Sequence, residues 1–118
     1  YGILIVPLHK QTIKTYKIMA TKESIYMELG VYERTSPFRS ISFKPVMNHS
    51  VTYFEKGKML SSYGVNVAVI LNDGKIILDP KHDYSMTTNK YVGQFIGLNL
   101  KARNKEIESG KIEVVELN

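Results

Sequence analysis

The sequence predicts an α+β domain, an antiparallel β-sheet with one principal helix near the C-terminus, and three observations carry that reading. Over residues 3–78, short runs of β-branched and aromatic residues are broken by Pro, Gly and Asp, the mark of strands. At residues 91–98 the period changes: Tyr91, Phe95 and Leu98 stand four and three residues apart, one face of a helix. Beyond Gly110 alternation returns, with Ile112, Val114 and Leu117 set against Glu113 and Glu116. The 118 residues make one domain, residues 1–118, which buries roughly two-thirds of its unfolded surface.

Taken in order, residues 3–8 read as a short strand, with Pro7 fitting a sheet edge. Residues 12–19 read as a second strand, and Thr21, Lys22 and Glu23 as the turn after it. Residues 24–35 carry two patterns. Ile25, Met27, Leu29 and Val31 alternate as in a strand, while Tyr26, Leu29 and Tyr32 sit at helical spacing; the β-branched and aromatic content favours the strand. Ser36-Pro37 breaks the chain, residues 39–44 alternate with Ile41 and Phe43 on one face, and Pro45 ends that run. Residues 50–54 give another strand before a turn at Glu55, Lys56, Gly57 and Lys58.

Val65–Leu71 is nearly all apolar, as in a central strand covered on both faces. Asp73-Gly74 follows, a strong hairpin signal because a type I′ turn needs φ > 0 at both central residues. Residues 79–83 are a loop, and Thr87 or Thr88 supplies the N-cap of a helix over residues 88–100, or on to Ser109. Tyr91, Phe95 and Leu98 are expected to pack on the Val65–Leu71 strand. Gly93 and Gly97 are expected to let helix and sheet approach closely, and Gly110 to stop the helix.

The 43% hydrophobic and 23% charged content fits a folded, water-soluble chain and argues against disorder. There is no cysteine, which removes disulfides, thiolate catalysis and cysteine metal sites and fits a reducing compartment. The longest apolar run, residues 3–6, is far short of a membrane span, and the N-terminus does not read as a signal peptide. Tyr1 reads as the start of a fragment, since initiator methionine is trimmed before small residues.

The net charge of +5 lies in the first half: residues 1–59 hold nine Lys and Arg against four Glu, and residues 60–118 balance at seven each. Such a half suits an anionic partner, nucleic acid or an acidic protein face. Lysines outnumber arginines 13 to 3, which favours the alternative of a merely lysine-rich surface. Candidate contacts are Lys10, Lys14, Lys17, Lys56 and Lys58, with Tyr16 and Tyr53 as stacking rings. Tyrosine can equally build a protein-binding face or line a core rim.

No phosphate-binding glycine loop, nucleophile elbow or zinc-protease motif occurs, so no catalytic residue and no cofactor is assigned. His9, His49 and His82 fall in separate segments without a second ligand at metal spacing. They read as solvated loop histidines, and no metal site is assigned.

One connected pattern stands out. It comprises Ser62-Tyr63, Val67-Ala68, the Asp73-Gly74 hairpin, then Ser85, Thr87, Thr88, Lys90 and Phe95. It resembles a small uncharacterised bacteriophage domain with a Ser-Tyr, Val-Ala hairpin and Ser-x-Thr-Thr-x-Lys pattern. The resemblance covers about residues 61–97, and Tyr91 stands where many members carry His. It implies a small viral accessory protein in the host cytoplasm that is not an enzyme. Its expected action is by binding, as an anti-defence or host-takeover inhibitor of the anti-CRISPR type, on a host protein or ribonucleoprotein. The alternative is a non-specific nucleic-acid-binding protein using the basic half. No membrane partner is expected, and the edge formed by residues 3–8 would allow a homodimer.

Overall fold

The computed structural model describes residues 20–118 and places six strands in one sheet in the order of the sequence. They are β1 (Tyr32–Arg39), β2 (Pro45–Phe54), β3 (Gly57–Ser62), β4 (Val65–Leu71), β5 (Ile76–Leu78) and β6 (Ile112–Val114). The first five form an antiparallel meander. β6 returns parallel to β5 through a crossover that carries two helices, α2 (Met86–Ile96) and α3 (Leu100–Glu108). A third helix, α1 (Lys22–Leu29), precedes the sheet. The α+β class holds, with three helices where one principal helix was expected.

Two apolar clusters cover the sheet. Ile25 and Leu29 of α1 close over Met59, Val69, Leu71 and Ile77 on one face, joined by Val115 and Leu117. Val92 of α2 closes over Leu60, Ala68 and Leu78 on the other, with Phe38, Val51 and Ile112. β4 is therefore covered on both faces, as its unbroken apolar run requires.

Residues 24–35 are not one strand. Ile25 and Leu29 are the buried pair, four apart, while Met27 and Val31 face solvent. Helix α1 starts at a capping box, Thr21 Oγ1 accepting from Ser24 N and Ser24 Oγ accepting from Thr21 N, and ends at Gly30 with φ 78°. The expected turn at Thr21, Lys22 and Glu23 is thus the helix start. Ser36-Pro37 does not break the chain either, because it lies inside β1, an edge strand where a missing N–H is tolerated. Register shifts flank Pro37 and Arg34 and blunt this edge against pairing with another chain. Residues 40–44 form the β1–β2 loop rather than a strand, so Ile41 and Phe43 are 79% and 80% exposed. Pro45 begins β2 instead of ending a strand.

The sequence reading left β3 unassigned because Gly57 is an unusual strand opener. A Cβ at Gly57 would come within 2.7 Å of the Ile70 carbonyl and 2.8 Å of Leu29 Cδ2, so only glycine lets α1 reach β3. The type I′ geometry occurs at Tyr63-Gly64, with φ 52° and 80°, between β3 and β4. The loop at Asn72, Asp73 and Gly74 does join two paired strands, as a three-residue turn in which Gly74 alone has φ > 0.

Helix α2 is capped by Ser85, whose Oγ accepts from Thr88 N at 3.1 Å. Thr87 faces solvent and Thr88 is buried, so neither is the cap. The helix stops at Gly97 in the left-handed region, and Asn99 caps α3, so it does not run on to Leu100. Val92 is the residue buried deepest on the sheet side, while Tyr91, Phe95 and Leu98 are half-buried around the cluster of Val67 and Ala68. Gly93 faces the α2–α3 corner rather than the sheet: a Cβ there would meet the Leu98 carbonyl at 3.2 Å and Arg103 Nη1 at 3.3 Å. Arg103 is fully buried and ties that corner, donating to the Leu98 carbonyl, the Asn89 carbonyl and Asn89 Oδ1.

His49 and His82 are buried, not solvated. The 79–83 loop is pinned by Asp79, which accepts from Lys81 N, Leu117 N and Asn118 Nδ2. Burial lowers the pKa of His82 below the ordinary histidine value; Arg103 adds to this, while Asp83 and Asp79 oppose it. Residues 1–19, including the two expected strands and the dimer edge at residues 3–8, lie outside the described residues.

Two outcomes follow from this packing. Gly57→Ala should cost about 1–3 kcal/mol in urea denaturation, since the methyl group overpacks against backbone. Because folding depresses the His82 pKa, the unfolded chain binds the extra proton. Stability is then full above about pH 6.5 and falls as acid protonates that group. Melts at pH 7.5 and pH 5 should show a larger loss for the natural protein than for His82→Gln.

Candidate functional site

The helices cover one face of the sheet only as far as β2 and β3. There the register sets three side chains in a row across three strands, since Arg34 pairs with Tyr53 and Tyr53 pairs with Lys58. Opposite residues of paired strands share a face, so this row looks toward α2. The Arg34 guanidinium lies 3.9 Å over the Tyr53 ring, and Lys58 Nζ lies 5.5 Å from the Phe95 ring.

Between this sheet face and α2 runs a groove made of two adjoining concavities, about 400 Å³ and 610 Å³ in volume, which share Phe38, Arg39 and Gln94. The smaller holds Tyr53, Lys58 and Phe95; the larger holds Ile41, Asn89 and Lys90. Gln94 Oε1 accepts from Ile41 N at 2.9 Å and ties the β1–β2 loop to α2. Phe38 supports the floor, edge-on to Tyr91 and Phe95 at 5.8 Å and 6.3 Å.

The groove is cationic. Its lining contains Arg39, Lys58 and Lys90, with Arg34 beside Tyr53, and no carboxylate. The ion pairs among the described residues join Lys75 to Glu113 at 3.3 Å and Lys111 to Glu106 at 4.0 Å. The groove cations bond neutral oxygens instead, Arg39 donating to the Phe43 carbonyl at 3.0 Å. Four positive charges along one concave wall raise the local concentration of anions.

Of the residues expected from sequence, the structure brings Tyr53, Lys58 and Lys90 to this groove. It does not bring Lys56, which sits at the β2–β3 turn beside Glu28 and Asp73. Lys10, Lys14, Tyr16 and Lys17 lie outside the described residues. Tyr53 does not offer a bare ring, because Arg34 covers it. The sequence reading missed Arg34, Arg39, Gln94 and Phe95 as site residues. The readable signal was arginine itself, since two of the three arginines face the groove.

Ser62 and Thr88 build a different feature, a buried polar chain linking β2, β3 and α2. Ser62 Oγ is 2.8 Å from His49 Nε2 and 2.7 Å from Thr88 Oγ1, and His49 Nδ1 is 2.9 Å from the Met47 carbonyl. A carbonyl only accepts, so Nδ1 carries the proton, Ser62 donates to Nε2, and Thr88 donates to Ser62. The imidazole is wedged between the Tyr63 and Tyr91 rings at 5.3 Å and 5.0 Å. The Ser–His geometry suits a nucleophile and its base, but Ser62 has no accessible surface and no substrate atom can reach its oxygen. The chain acts as a tie between sheet and helix. Tyr63 and Thr87 flank it on the surface.

Removing the middle of that chain should cost more than removing its end. Ser62→Ala strands the buried acceptor of His49 and should cost about 1–3 kcal/mol, whereas Thr88→Val leaves Ser62 bonded to His49 and should cost about 1 kcal/mol. Urea denaturation of the two variants checks the order.

No curated protein and no solved structure matches this chain. A family model, described as a family of unknown function (DUF8033), matches residues 10–112, which takes in every strand and helix described above. That match extends well beyond the segment of residues 61–97, and on it the chain belongs to this family of unknown function, DUF8033.

Proposed function

We propose that this protein binds nucleic acid, without sequence preference, along the cationic groove between the β1–β2 hairpin and α2. The observation that carries the reading is the convergence of Arg34, Arg39, Lys58 and Lys90 on a groove whose lining holds no carboxylate. Uncompensated cations in a row neutralise phosphates and release counterions, so affinity falls as salt rises. Arginine also suits phosphate better than lysine because its fork is planar and fixed. Neither the groove nor the family description supplies a reaction, so the proposed role is binding.

A second reading follows from the resemblance to a bacteriophage domain, a viral accessory protein that blocks a host protein or ribonucleoprotein. It is favoured by the β1–β2 loop, where Ile41 and Phe43 are exposed and Phe43 holds φ 61°, a strained value for a bulky residue. In this reading the loop would meet the protein part of the target and the groove its RNA.

Titrating a labelled oligonucleotide at several salt concentrations tests the groove. The triple variant Arg39→Gln, Lys58→Gln, Lys90→Gln should flatten the slope of log affinity against log salt by about 2–3. Lys56→Gln, outside the groove, should leave the slope unaltered. Absence of binding at about 50 mM salt would overturn the proposal.

A further inference from the structure

Resting on the nucleic-acid reading, we infer that the groove takes a single strand, with an unpaired base stacked on the Arg34–Tyr53 platform, and does not take a duplex. Size is the first argument. Concavities of about 400 Å³ and 610 Å³ are in the range of small-ligand pockets, roughly 300–1,000 Å³, room for a base and its sugar but not for a double helix.

Position is the second argument. Tyr53 and Phe95 are half-buried in the groove, not raised on a convex surface. A duplex lying across the rim would meet the cations but leave these rings untouched, because its bases are stacked inside. Only a base turned out of the strand reaches them.

The platform itself is the third argument. The guanidinium of Arg34 stacks on Tyr53 at 3.9 Å while the rest of Arg34 is exposed, so its outer planar face is open to solvent. Bases stack on arginine planes as they do on aromatic rings. Gln94 and Asn89 add amide edges along the wall where a base edge would lie, and Arg39, shared by both concavities, sits where the backbone would pass from one to the other. An acidic peptide would use the cations and leave the platform idle.

The test measures the full chain against four probes of matched length and charge, at about 100 mM salt. They are oligothymidylate, the same backbone with abasic sites, a blunt duplex and polyglutamate. Oligothymidylate should bind at least about tenfold tighter than the other three, the size of one stacked base. Arg34→Lys keeps the charge and removes the planar face. It should reduce oligothymidylate affinity about fivefold to tenfold with the salt slope unaltered, and leave the abasic probe unaffected. Tyr53→Leu should give the same selective loss, with circular dichroism confirming that both variants fold. Equal binding of oligothymidylate and the abasic strand, or tighter binding of duplex or polyglutamate, overturns the inference. If the nucleic-acid probes still show a steep salt slope, the broader nucleic-acid reading survives that result. Absence of binding to all four ends both.

Discussion

A helix is about 10 Å across and strands lie about 4.8 Å apart, so each helix covers roughly two strands of one sheet face. Six strands present twelve such strand-faces, and three helices of eight, eleven and nine residues can cover about half of them. This shortage governs the architecture. The helices and residues 115–117 are spent on β3, β4 and β5, which are accordingly apolar on both sides. Strand β1 and the outer part of β2 receive little cover and carry Thr, Ser, Asn, Arg and Tyr instead.

The groove follows from that boundary. Where α2 ends its coverage, the sheet continues, and the step between helix and bare strand is a trough with one apolar wall and one polar wall. Polar strand residues next to an apolar cluster must keep their charged ends in water, and Arg34 and Lys58 do so by laying their stems over Tyr53 and toward Phe95. The acidic residues sit elsewhere, with Glu106 and Glu113 paired to lysines by β6 and α3. The positive field is thus local to one trough although half of the chain is balanced in charge.

The sheet was readable wherever one residue pattern had one meaning. Val65–Leu71 reads as a central strand because it is apolar throughout, and Asn72 to Gly74 reads as a reversal because glycine there enters the left-handed region. Reading failed where a pattern served two periods. Ile25, Met27, Leu29 and Val31 alternate, yet only Ile25 and Leu29 are buried, and the capping pair Thr21 and Ser24 was the discriminating signal. Pro37 and Pro45 were read as strand breakers because their edge position is a tertiary fact. The burial of His49 and His82 was equally illegible, since their partners Ser62 and Asp79 come from other segments. For the groove, Tyr53 and Lys58 could be picked out by type, but that Arg34 stands beside them depends on strand register.

The parallel pairing of β6 with β5 bears on the order of assembly. Every other strand pair is closed by a turn of two to five residues, whereas this one waits for residues 79–111 to fold back. Relative to a two-residue turn that is roughly four doublings of loop length, at about 0.6 kcal/mol each in closure entropy. Local pairings form before distant ones, so the meander zips first and the crossover arrives afterward, bringing α2 with it. At the meander stage Arg34, Tyr53 and Lys58 are already in line, but on an open sheet with nothing facing them. The second wall arrives with the crossover, and recognition by this protein becomes a property of the completed domain alone.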